Sequence, residues 1–368
     1  MRRREFLKGV AAGSAAAVLA ACTGGGGGTG PSRPARRRYR WKLVTTWPPN
    51  FPLFQEGVER FAREVRRMSG GALSIDVFAA GQLIPALQVF DAVSRGTVEM
   101  GHGAAYYWAG KIPAAQFFTA VPFGLNAQGM NAWFYGGGGI ALWHEVYAPH
   151  GLVAFPMGNT GVQMGGWFRR PLKGLADLQG LKMRIPGLGG KVMARAGVNP
   201  VLLPGGEIYT ALDRGTIDAT EWVGPFPDLR LGLHRVARYY YYPGWHEPGP
   251  ALELSIHRGA WDSLPRELQL IVQHAAASVN LWMLSEFEAR NPEALRTLQE
   301  RHGVEVLPFP EEILAALRRY SAEVLEDLGR DDPVFRKVRT AYRAFQEGGA
   351  RWRQVSEQAY ARALQAGG

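Results

Sequence analysis

The chain has 368 residues, 46% of them hydrophobic and 20% charged, a composition that excludes a disordered chain and allows two domains with separate cores. Its net charge of +10 is unevenly placed: residues 1–21 carry +3, residues 23–40 carry +5, and 41–368 only +2. A nucleic-acid-binding protein would concentrate Lys and Arg on its folded body, so that class is set aside.

Arg3-Arg4-Glu5-Phe6-Leu7-Lys8 matches the twin-arginine export pattern, and the apolar stretch Val10 to Ala21 follows it. The stretch is too short for a stable transmembrane helix and has the flanks of a signal peptide. It closes on Leu19-Ala20-Ala21-Cys22, which resembles the bacterial lipobox, where the cysteine is acylated. Cys22 is the sole cysteine, so no intrachain disulfide is expected. Residues 1–21 are therefore expected as signal peptide and 22–40 as a Gly/Arg-rich tether. The tether would hold a soluble body in the periplasm or cell envelope through an N-terminal lipid anchor.

From Trp41 onward strand and helix patterns alternate. Trp41 to Thr46 reads as a strand, Leu53 to Met68 as an amphipathic helix, Ala72 to Phe78 as a strand, Ala86 to Ser94 as a helix and Val98 to Ala105 as a strand. The Gly136–Gly139 run reads as a loop. Gly151 to Pro156 and Gly180 to Ile185 read as buried strands, followed by helices at Gly190 to Ala196 and Glu207 to Arg214. Leu252 to His257 is a further strand, and Pro265 to His302, Pro310 to Arg330 and Pro333 to Leu364 are helical. The fold class is α/β with a helical C-terminal region.

HExxH, CxxC, GxSxG and Walker motifs are absent, and the eight histidines show no metal-ligand spacing. Gly187-Leu188-Gly189-Gly190 follows a strand and opens a helix, with Glu207 some twenty residues on. That layout keeps open an exported oxidoreductase with a nucleotide cofactor, although Val192 stands at the third glycine position. More informative is the stretch 159–247. Asn159 and Gln163 flank a strand end, Arg184 ends another strand, Glu221 interrupts an apolar segment and Glu247 lies in Trp245-His246-Glu247-Pro248. An arginine at the carboxyl end of a strand can grip a carboxylate in a bidentate pair. Its removal is expected to abolish binding with little loss of stability. Buried glutamates require a partner or a cation.

Gly180-Leu181-Lys182-Met183-Arg184-Ile185-Pro186-Gly187 and the segment Glu207 to Trp222, EIYTALDRGTIDATEW, resemble the solute-binding subunits of TRAP transporters, the DctP family. The resemblance runs from about Trp41 to the C-terminus, within the branch that binds 2-oxo and 2-hydroxy monocarboxylates with a metal cation. It implies no enzymatic activity. It implies a two-domain, periplasmic-binding-protein-like (type II-like) fold that closes about a hinge. Residues 41–160 with about 250–285 would form one domain, 161–249 with about 286–310 the other, and 311–368 the C-terminal helices. It further implies that Arg184 clamps a substrate carboxylate of lactate or pyruvate type. Gln163, Glu221, the Trp222 carbonyl and Glu247 would hold the cation, with Asn159 and Tyr106 or Tyr107 as further substrate contacts. Two glutamates, one arginine and a monocarboxylate leave two negative charges, which Ca²⁺ cancels and Na⁺ does not. Oxygen donors also suit Ca²⁺, so it is expected with Na⁺ as the alternative. The implied partners are a membrane permease and a second copy, joined through Pro333 to Leu364, where Gly348-Gly349 departs from one unbroken helix.

Overall fold

The computed structural model describes residues 37–365. The signal segment, Cys22 and most of the tether lie outside the described residues. Strand β1 (Tyr39–Thr45) buries Tyr39, Trp41 and Leu43 and exposes Arg40 and Lys42, the two-residue alternation of a strand covered on one face. Helix α1 (Phe54–Met68) places Phe54, Val58, Phe61 and Val65 on one buried stripe. Next come β2 (Leu73–Phe78), a 3₁₀ turn leading into α2 (Val89–Ser94), and β3 (Met100–Gly103). The strand expected to reach Ala105 stops at Gly103, because residues 105–108 coil into a 3₁₀ turn that carries Tyr106 and Tyr107. The expected Gly136–Gly139 loop is instead a corner between α3 (Ala127–Gly136) and α4 (Gly139–Tyr147). Strand β4 (Leu152–Asn159) is buried along its whole length.

The chain then builds β5 (Gly166–Phe168), β6 (Lys182–Arg184), α5 (Gly187–Arg195), β7 (Asn199–Val201), α6 (Gly205–Asp213), β8 (Ala219–Thr220), α7 (Pro225–Leu231) and β9 (Tyr239–Tyr242). It returns as β10 (Ala251–His257) and α8 (Arg258–Ser263), and continues through α9 (Arg266–His302) to β11 (Glu305–Pro308). Two mixed sheets result, ordered β2-β1-β3-β10-β4 and β11-β9-β5-β8-β6-β7.

Three passages join the sheets: residues 160–165, residues 243–250 and α9. The two extended passages run side by side. Gln163 N–H donates to the Glu247 carbonyl at 3.2 Å, Gly244 N–H to the Gln163 carbonyl at 2.9 Å, and Thr160 N–H to the Pro250 carbonyl at 3.3 Å. A Cβ on residue 244 would lie 2.2 Å from the Gln163 carbonyl oxygen, so glycine alone permits this approach. Helix α9 packs on α1 and β4 of the first sheet and on α7 of the second. Pro292 within it removes one backbone donor and weakens that turn.

Helix α10 (Glu311–Asp331) packs on α5, and α11 (Pro333–Gly348) packs on the 3₁₀ turn at Pro113–Phe118 and on α3. Phe335 meets Phe117 at 4.9 Å between ring centroids, and the Tyr342 hydroxyl accepts from Leu125 N–H at 2.7 Å. The break at Gly348-Gly349 is present, and a second follows at Ser356, leaving α12 (Ala350–Val355) and α13 (Glu357–Gln365). Neither buries a residue, and Trp352 and Tyr360 are 70% and 66% exposed. No helix among the described residues is long and apolar enough to cross a membrane.

Candidate functional site

Strands β6 and β8 are parallel neighbours with Arg184 opposite Thr220. Arg184 and Glu221 therefore leave the second sheet at the same carboxyl edge, where open α/β sheets bind ligands. The two extended passages bring Gln163, His246 and Glu247 to that edge, and the end of β3 brings Tyr106 and Tyr107 from the first sheet. Arg184, Glu221, His246, Glu247 and Gln163 are all buried.

The Arg184 guanidinium is held from several sides. Nη1 pairs with Glu221 Oε1 and donates to the Glu221 carbonyl at 3.2 Å, Nε donates to the Leu203 carbonyl at 3.2 Å, and Nη2 reaches the Tyr107 hydroxyl at 3.4 Å. It lies 5.2 Å from the Trp222 ring centroid, and Trp222 in turn packs edge-on against Phe51 at 6.0 Å and Trp47 at 6.5 Å. Burial lowers the Arg184 pKa, but Glu221, Tyr107, Tyr106 and Glu247 raise it on balance, so the cation is firmly charged. Removing a guanidinium so buried and so paired would strand Glu221. The expectation of little stability loss is thus corrected, since a broken buried ion pair is strongly destabilising.

Glu221, His246 and Glu247 form an acidic pocket in which one ligand atom from each lies within 4.8 Å of the others. His246 Nε2 is 3.4 Å from Glu221 Oε2. Burial and then the Glu221 carboxylate push the Glu247 pKa well above the ordinary range, with Arg184, Tyr106 and Gln163 acting the other way. Glu247 Oε2, Gln163 Oε1 and His246 Nδ1 are buried with no hydrogen-bond partner among the described residues. Buried acceptors left open in this way are costly unless something else satisfies them. Trp47, Phe54, Tyr106, Tyr107 and Leu252 give the adjoining narrow cleft an apolar wall, with Thr160, Gln163 and Glu247 at its polar edge.

The fold thus brings together Arg184, Glu221, Trp222, Gln163, Glu247, Tyr106 and Tyr107. Asn159 is held otherwise: its Nδ2 donates to the Gly249 carbonyl at 3.1 Å and its Oδ1 accepts from Gly161 N–H at 2.8 Å. Those bonds give it a structural task where the passages begin. His246 was missed by the spacing rule for histidines. Its only sequence signal is adjacency to Glu247, and its approach to Glu221 exists only once the second passage folds against β8.

The Gly187 turn serves packing. A Cβ at residue 187 would lie 3.0 Å from Tyr106, the residue sits at φ 62°, and a Cβ at residue 190 would lie 2.5 Å from the Ile185 carbonyl oxygen. The glycines let α5 start tightly against β6 and the tyrosine, which accounts for them without a dinucleotide.

The model of the DctP family, bacterial extracellular solute-binding proteins of family 7, matches residues 43–331. A monocarboxylate 2-oxoacid-binding periplasmic protein of Nostoc sp. (strain PCC 7120) is 47% identical over 321 residues, covering 87% of this chain and 88% of that protein. A TRAP transporter solute-binding protein from Bordetella bronchiseptica RB50, solved as a mixed-occupancy dimer with copurified calcium and picolinate, is 39% identical. It superposes with a TM-score of 0.88 over 90% of this chain and 98% of its own. A TRAP periplasmic solute-binding protein from Pseudoalteromonas atlantica T6c, with bound sodium and pyruvate, is 44% identical with a TM-score of 0.86 over 89% and 99% of the two chains. These matches leave the oxidoreductase reading without support. The chain is an extracytoplasmic receptor and not an enzyme, and it belongs to the DctP family of TRAP-type solute-binding proteins.

Proposed function

We propose that this receptor captures a small 2-oxo or 2-hydroxy monocarboxylate, of pyruvate or lactate type, together with Ca²⁺. The observation that carries the reading is the pairing of one buried guanidinium with a pocket of unsatisfied oxygen and nitrogen acceptors at the same strand edge. Arg184 faces the carboxylate, and Tyr106 and Trp222 wall the small alkyl group. Glu221, Glu247, Gln163 and the Trp222 carbonyl hold the cation, with His246 beside them. The open acceptors Gln163 Oε1 and Glu247 Oε2 fit a hard cation. Pyruvate and picolinate, the ligands of the two solved relatives, share a second donor atom next to the carboxylate. Such a ligand chelates a cation in a five-membered ring, which supports a 2-oxo or 2-hydroxy acid over a simple fatty acid. Charge supports Ca²⁺ over Na⁺: once Arg184 is assigned to Glu221, Glu247 and the ligand carboxylate remain, and a divalent ion neutralises both.

In the same reading, the lobes are residues 41–160 with about 250–285 and 161–249 with about 286–310. They close about the two extended passages and α9, and the closed form docks on TRAP membrane permease subunits. Export by the twin-arginine route and acylation of Cys22 would anchor the protein to the envelope. The exposed apolar residues of α12 and α13 support a homodimer through residues 311–368. The test is calorimetric titration of pyruvate and lactate into chelator-treated protein with and without Ca²⁺, together with metal analysis of natively purified protein. Binding that needs Ca²⁺ is expected; equal binding without any cation would overturn the reading.

A further inference from the structure

Asp228 lies outside the cleft, is 1% exposed, and has every oxygen lone pair occupied by a donor of the chain. Its Oδ1 accepts from the backbone N–H groups of Val223 and Gly224, each at 3.1 Å, and its Oδ2 accepts from Trp167 Nε1 and the Tyr240 hydroxyl, each at 2.8 Å. Trp167 and Tyr240 stack on adjacent strands with ring centroids 4.0 Å apart. The carboxylate is thus bolted to the second sheet at one oxygen and grips two consecutive peptide units with the other.

Those peptide units follow Trp222 directly. A trans peptide is planar, with its N–H and C=O pointing in opposite directions. Fixing Val223 N–H on Asp228 therefore turns the Trp222 carbonyl away from Asp228. Fixing Gly224 N–H turns the Val223 carbonyl the same way, and that carbonyl accepts from Met164 N–H at 2.9 Å. The Trp222 carbonyl consequently faces the side of the segment that carries Met164 and its neighbour Gln163, whose Oε1 is one of the open acceptors.

We propose that Asp228 is a positioning residue for cation binding: by anchoring Val223 and Gly224 it aims the Trp222 carbonyl into the pocket of Gln163, Glu221 and Glu247. The inference rests on the reading of that pocket as a cation site. Partners behind a metal's direct ligands commonly set affinity by 10- to 100-fold. Asp228→Asn retains the shape but loses the grip. One amide oxygen cannot serve both the backbone pair and the indole, since the amide nitrogen would face a second donor.

The test is a pair of titrations on the full mature chain. Ca²⁺ is titrated at fixed pyruvate, and pyruvate at saturating Ca²⁺, with thermal unfolding of the unliganded protein followed in parallel. Asp228→Asn is expected to raise the half-saturating Ca²⁺ concentration by about 10-fold or more, while pyruvate affinity at saturating Ca²⁺ returns close to wild type. Tyr240→Phe, which removes one donor from the anchored oxygen, is expected to shift the Ca²⁺ midpoint the same way by a smaller factor, and it decides the matter if Asp228→Asn does not fold. A lower unfolding temperature with an unchanged Ca²⁺ midpoint would overturn the proposal and leave the cation site standing. Cation-independent binding by the wild-type protein would remove the cation site itself.

Discussion

Replacing Arg184 by Met keeps most of the aliphatic stem against Trp222 and deletes the guanidinium. Glu221 would then stand fully buried, with His246 Nε2 at 3.4 Å as its remaining side-chain partner. The Leu203 and Glu221 carbonyls would also lose a donor. Breaking one side of a buried ion pair costs about 3–5 kcal/mol, which for a chain of this size lowers the unfolding temperature by roughly 4–7 °C. Adding Glu221→Gln to Arg184→Met removes the stranded charge and should recover most of that loss, because exchanging both partners of a buried pair is often close to neutral. Urea unfolding followed by tryptophan fluorescence measures all three proteins, and calorimetry measures ligand binding, which should be lost in both variants. Either of two results refutes the reasoning: a single variant as stable as wild type, or a double variant no more stable than the single.

Glu247→Gln should weaken Ca²⁺ more than it weakens the protein. Because burial raises the Glu247 pKa in the native state, protons should compete with the cation, so the half-saturating Ca²⁺ concentration should rise as pH is lowered and this slope should flatten in the variant. Glu253, buried between Trp108 and Tyr147, has a native pKa pushed up to about 7 by burial against an ordinary value of 4.5. Its contribution to stability is full below the unfolded value and is lost as pH rises through about 7, so the difference in unfolding free energy between wild type and Glu253→Gln should change across pH 4.5–7. Gly244→Ala should force the two extended passages apart and reduce carboxylate affinity, as read by the same titration. Truncation after Gly348 should yield a monomer by light scattering while leaving ligand binding intact.

The longer elements were legible because their apolar spacing is regular. Phe54, Val58, Phe61 and Val65 announce α1, and the run to His302 announces α9. Arg184 and Glu221 stood out for the same reason, as charged residues in strand-like surroundings. Strand β6, which carries Arg184, falls within the expected Gly180 to Ile185 strand, but β5 and β8 of the same sheet were less visible. β5 has three residues and β8 two, too few for a two-residue period, and they are strands only by virtue of partners 36 to 75 residues away in the chain. Helix α7 hides behind Pro225 and Pro227, which read as breakers but sit in its first turn, where their missing N–H groups cost nothing. Asp228 was invisible for a related cause: its four donors come from β5, β9 and the segment before α7.

Helices α10 and α11 are joined at the single residue Asp332, yet one rests on α5 of the second sheet and the other on the Pro113–Phe118 turn beside the first. If the lobes open and close as proposed, these helices would form a two-bar linkage across them, with its pivot at Asp332. Spreading the lobes would then rotate one bar against the other, and the angle that this joint tolerates would cap the gape through which a solute enters.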